Sequence, residues 1–109
     1  MLLQERNVYY MKPGRVNLTK EQIKEFCQKY HIKKFAFYGS VLRDSFRQDS
    51  DIDILVDLDY NYRTGLMKMA RMERKLSEMI GRQVDLKTPE DLSDYFRDKV
   101  LSEAEVLYE

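Results

Sequence analysis

The chain has one cysteine, one histidine, no net charge and no apolar run long enough to cross a bilayer. A lone thiol, Cys27, excludes an intrachain disulfide and suits a reducing compartment, so a cytoplasmic location is expected. A lone imidazole, His31, has no neighbouring metal-type residue and reads as a surface or helix-end residue rather than a catalyst or ligand. The balance of 19 basic against 19 acidic residues differs from the strongly basic character of template-reading or nonspecific nucleic-acid enzymes. No stable nucleic-acid binding is therefore expected. Signal-peptide patterns, internal repeats and low-complexity tracts are also missing, so neither secretion nor membrane spanning is indicated. A length of 109 residues supports one core and leaves little room for a separate substrate domain.

What is present is a pair of aspartates in an unusual setting. Ile52 to Val56 is rich in β-branched and aliphatic side chains and reads as a buried strand. Asp51 and Asp53 stand at i and i+2 and point to one face. Like charges held that close are costly to desolvate unless a cation sits between them or the site stays wet. Hard oxygen donors at this spacing suit Mg²⁺, which takes one or two protein carboxylates and completes its shell with water and phosphate. Upstream, Phe35-Ala36-Phe37-Tyr38 forms a second strand that runs into Gly39-Ser40, with ten residues between Ser40 and Asp51. Gly39 lets a ligand approach the backbone, Ser40 adds a hydroxyl, and Arg43 offers a positive charge about one turn on. Alone, Gly39-Ser40 reads first as a plain turn and helix cap; the same-face aspartates shift the reading to phosphate binding.

Phe37-Tyr38-Gly39-Ser40-Val41-Leu42-Arg43, followed by Ser50-Asp51-Ile52-Asp53-Ile54-Leu55-Val56, closely resembles the minimal nucleotidyltransferases of the polymerase-β-like superfamily. Their signature is Gly-Ser, ten residues, then Asp-x-Asp. The resemblance spans roughly residues 18 to 108 and includes Gly81-Arg82-Gln83-Val84-Asp85-Leu86, where the family carries a third acid on the next strand. Asp44 departs from the family, many of whose members have Gly there; an acid at that position would weaken the positive field around bound phosphates.

The rest of the chain organises around these strands. Residues 1–17 form an N-terminal extension, an added strand or a partner-binding arm, and residues 18–109 the main domain. Thr19 and Gln22 form a capping box that opens a helix to about Tyr30. Cys27 lies on its apolar stripe as a small core residue. Asp57 continues the parity of Asp51 and Asp53, but it is expected at or beyond the strand end. Asp85, an acid between apolar strand neighbours, is the preferred third carboxylate. Thr64 to Met79 reads as an amphipathic helix with Leu66, Met69, Ala70, Leu76 and Ile80 on its apolar side, closed by Gly81. Its methionines are read first as core filling and second as an adaptable partner surface. Pro89 opens a last helix whose stripe takes in Leu92, Phe96, Val100, Ala104 and Leu107.

These elements predict an α/β (α+β) sandwich, a mixed sheet of at least three strands (about 34–38, 52–57 and 83–87) backed by helices, with the acids on one edge. The resemblance implies the polymerase-β-like nucleotidyltransferase core. It further implies ATP as substrate, held by Gly39, Ser40, Arg43 and Arg47, and one or two Mg²⁺ ions held by Asp51, Asp53 and Asp85. Asp85 would share a second ion or act as general base. The implied reaction is AMP transfer to a tyrosine of a HEPN ribonuclease toxin, with the chain as antitoxin; whether it forms a homo- or hetero-oligomer stays open. The rival readings are a small-molecule nucleotidyltransferase and a non-catalytic module that neutralises its partner by contact.

Overall fold

The computed structural model describes residues 2–5, 8–11, 18–42, 51–62 and 65–109. Two short strands, β1 (Leu2–Glu5) and β2 (Val8–Met11), pair antiparallel, and β2 pairs in turn with β3 (Leu18–Thr19). Residues 2–5 and 8–11 are thus strands.

Helix α1 (Lys20–Lys29) starts where the sequence places it. The Gln22 N–H donates to Thr19 Oγ1 and the Thr19 N–H to Gln22 Oε1, both at 3.0 Å, a reciprocal cap that satisfies two otherwise orphan donors. Ile23, Phe26 and Cys27 form its buried stripe. The chain leaves α1 through His31, which adopts φ 57° and stacks its ring on Tyr62 at 3.6 Å. His31 is exposed, as expected of a helix-end residue.

The main sheet has four strands in the order β6-β5-β4-β7. Strand β4 (Ile32–Tyr38) runs antiparallel to β5 (Ile52–Leu58), and β5 runs parallel to β6 (Val84–Lys87). A parallel pair needs a crossover, and α2 (Leu66–Ile80) provides it. Gly65 precedes α2; Thr64, the expected start, lies outside the described residues. Gly81 closes α2 at φ 77°, its N–H donating to Ser77 O at 2.8 Å.

Alternation along the strands sorts side chains onto two faces. Phe35, Phe37, Ile52, Ile54, Val56, Val84 and Leu86 pack with Ile23, Phe26 and Cys27 of α1 and with Met72 and Leu76 of α2. Each fully buried apolar side chain of this kind contributes about 1.5–3 kcal/mol. The opposite face carries Tyr38 and Leu55 beneath Leu92, with Val100 and Ala104 packed alongside.

Several expectations need correction. The last helix, α3 (Asp94–Glu103), does not start at Pro89, which opens a separate 3₁₀ turn, Pro89–Asp91. It also ends before Leu107, which belongs to β7 (Glu105–Tyr108), antiparallel to β4. Phe96, placed on the apolar stripe, is 57% exposed. At the start of α2, Leu66 and Met67 are 89% and 76% exposed, so core filling holds for Met69, Met72 and Met79 but not for Met67. Asp57 lies inside β5 rather than at its end, because β5 continues to Leu58. No helix among the described residues is long and apolar enough to cross a membrane.

Candidate active site

The register of the sheet builds the site. Tyr38 of β4 lies opposite Asp53 of β5, and Asp53 lies opposite Asp85 of β6, so the three form one row across three strands. Ile52, Ile54, Val84 and Leu86 are buried in the helix-covered core. Strand parity therefore turns Asp53 and Asp85 to the other face, where both are half-buried. Asp53 sits on an interior strand and Asp85 on the edge strand, so the acids straddle the boundary expected to hold them both.

Gly39 ends β4 and starts a 3₁₀ turn, Gly39–Leu42, at φ 76°. A Cβ added here would collide with Asp53 Oδ2 and come within 3.2 Å of Asp53 Cγ. Glycine is required twice over, by the left-handed backbone and by the carboxylate against it. The Gly-Ser and Asp-x-Asp halves of the sequence pattern thus meet at Gly39 and Asp53. Ser40 follows in the turn; Arg43, Asp44 and Arg47 lie outside the described residues.

Asp51 stands one residue before β5 and is exposed. The Ile52 N–H donates to Gln83 O at 2.9 Å and forms the first rung of the parallel pair. Among the described residues no group of three His, Cys, Asp or Glu side chains is arranged to hold one metal ion. The sheet therefore brings Asp53 and Asp85 together and leaves Asp51 at the margin. Asp57 faces Lys33 in a 3.8 Å ion pair, well along the strand from the row.

Two members of the site carry signals that parity could have revealed. Tyr38 is buried, and its phenol is pushed well above the ordinary tyrosine range by burial first, then by the negative fields of Asp53, Asp85 and Asp91. It stays a neutral hydroxyl. Lys87, two residues past Asp85 on the same face, places its Nζ 3.1 and 3.2 Å from the two carboxylate oxygens of Asp85. A third contributor is structural. Arg97 of α3 donates to Pro89 O, Leu92 O and Asp94 Oδ1, each at 2.8 Å, and ties the turn after β6 to the helix beyond it. Cys27 is remote from the row; burial pushes its thiol up to about 12, in keeping with a core residue.

The donor chemistry suits a hard cation. Two carboxylates in register on neighbouring strands match what Mg²⁺ asks of a protein, whereas sulfur and imidazole ligands are missing from the row.

Residues 21–109 match the family described as polymerase beta, nucleotidyltransferase. The chain belongs to this nucleotidyltransferase family and to its minimal branch. A solved minimal nucleotidyltransferase superposes with a TM-score of 0.67 at 32% identity, over 79% of this chain and 86% of that one. Protein adenylyltransferase MntA of Thermococcus cleftensis is 31% identical over 80 residues, 73% of this chain and 79% of the relative. The same fold recurs, with a TM-score of 0.59 at 18% identity over 82% of this chain and 68% of the other, in a structure of the tri-AMPylated HEPN toxin of Shewanella oneidensis in complex with its MNT antitoxin.

Proposed function

We propose that this nucleotidyltransferase moves AMP from ATP to a tyrosine hydroxyl of a HEPN ribonuclease toxin and so acts as its antitoxin in the cytoplasm. The observation that carries the reading is the Asp53–Asp85 pair set in register beside the Gly39 turn. The name of the Thermococcus cleftensis relative and the Shewanella oneidensis complex support the choice of acceptor.

In the proposed reaction the tyrosine oxygen attacks the α-phosphorus, the α–β phosphoanhydride bond breaks and pyrophosphate leaves. Ser40, Arg43 and Arg47 hold the triphosphate against the Gly39 turn, fixing it for in-line attack. Asp85 accepts the tyrosine proton as general base. Asp53, with Asp51 at the margin, would hold Mg²⁺, which when bound supplies charge neutralisation to the phosphates. Tyr38, kept neutral beside the acids, adds no negative charge to the row.

Incubation of the chain with a HEPN partner, Mg²⁺ and α-labelled ATP tests the proposal through label and intact mass. Gain of AMP on a partner tyrosine, lost with Asp53→Asn, supports it. Full neutralisation without ATP and without a mass change would instead establish a module that acts by contact alone.

A further inference from the structure

Lys87 does something at Asp85 that the reaction outlined above does not use. Its ammonium lies 3.1 Å from one oxygen of the carboxylate and 3.2 Å from the other. A cation that straddles both oxygens occupies the place where a metal ion shared by Asp85 would sit. Both residues belong to β6, two positions apart, so strand geometry brings their side chains to one face. Lys87 stands in register with Leu55, the residue that packs beneath Leu92, so its backbone is fixed next to an apolar wall. Lys87 and Asp85 side chains are 37% and 41% exposed, which makes the pair partly desolvated.

Electrostatics points the same way. A second divalent ion at Asp85 would face the Lys87 ammonium at contact distance, where like charges repel strongly.

We infer that Lys87 takes the place of a second divalent cation at Asp85, so that the site binds a single Mg²⁺ on the Asp53 side. The inference rests on the nucleotidyltransferase reading of the row and specifies its metal requirement. Lys87 is a positioning residue here: it holds the Asp85 carboxylate toward the acceptor, and each oxygen keeps a lone pair for the acceptor's hydroxyl hydrogen. No bond to substrate is assigned to it.

The test counts metal rather than turnover. Equilibrium dialysis with labelled Mn²⁺ and saturating AMP-PNP measures ions bound per chain, with thermal melts to confirm that each variant is folded. The expected result is one ion for the parent and for Lys87→Arg. Lys87→Ala should gain a second site, its affinity raised about tenfold or more once the ammonium is gone, and Lys87→Ala/Asp85→Asn should lose that site again. Two ions on the parent would overturn the inference and leave the active-site reading intact, as would a folded Lys87→Ala that still binds one. No protein-bound ion in any variant would overturn both.

Discussion

The Leu86 N–H donates to Glu73 Oε2 at 2.9 Å, a side chain of α2 reaching the outer edge of β6. Ser77, one turn further along α2, accepts from the Val84 N–H at 3.0 Å and donates its own hydroxyl to Glu73 O at 2.9 Å. An edge strand otherwise presents such donors to any passing strand. Here the crossover helix satisfies them, and the strand that carries Asp85 is held between its sheet partner and its own connector.

Glu73→Ala should therefore destabilise the fold by about 1–3 kcal/mol, the cost of an unmet backbone donor that is only partly reached by water. Glu73→Gln keeps an acceptor oxygen and should lose less. Urea denaturation of the two variants checks the order; equal losses would show that the Leu86 contact contributes nothing.

The glycines that end β4 and α2 separate two effects. Gly81 has a left-handed backbone with open space where a Cβ would go, so Gly81→Ala should cost about 1–2 kcal/mol in stability and leave nucleotide binding unchanged. Gly39→Ala carries the same backbone strain and drives a methyl group into Asp53. It should cost more stability and also lower the affinity for the Mg²⁺ complex of AMP-PNP by about tenfold or more. Calorimetry on the two variants side by side provides the comparison.

Arg97→Ala should release the Pro89–Asp91 turn from α3 and destabilise the domain by about 2 kcal/mol, since three carbonyl or carboxylate partners lose a charged donor. Lysine has no planar fork to meet three partners at once, so Arg97→Lys should recover little. Thermal melts of the pair decide this, and full recovery by lysine would contradict the geometric account.

Cys27 gives a pH dependence with a definite sign. Its folded-state pKa lies at about 12, above the ordinary value of 9.0, because burial penalises the thiolate. Above pH 9 the unfolded chain gives up this proton more readily than the folded one, so stability is full below that pH and is lost as pH rises toward 12. Tyr38, raised in the same direction, adds to the loss at the alkaline end. Cys27→Ala should flatten the decline between pH 9 and 11, measured by denaturation at stepped pH. The native thiol should also resist maleimide at pH 8 until the protein unfolds.

Local chemistry was readable in the sequence, and long-range pairing was not. The Thr19–Gln22 cap, the buried stripe of α1, the Gly81 stop and the three strands that carry Gly39, Asp53 and Asp85 all follow from residues within a few positions of one another. Strand β7 does not. Val100 and Ala104 set a helical spacing that Leu107 continues in sequence, yet the chain turns extended at Ala104 and pairs with β4, far away in sequence. Neither a glycine nor a proline marks the change, so only the free edge of β4 explains it. Lys87 was legible in principle, since a residue at i+2 from Asp85 on a strand shares its face.

Asp53 and Asp85 become neighbours only when the whole β5–α2–β6 unit has closed, because nothing local in the chain brings them together. Their approach is thus a non-local event, and forming it meets the loop-closure cost of everything between. A chain still emerging from synthesis holds the Gly39 turn with half of the acid pair. Under the proposed mechanism such a chain lacks its general base, so the reaction is confined to molecules that have closed the β5–α2–β6 unit.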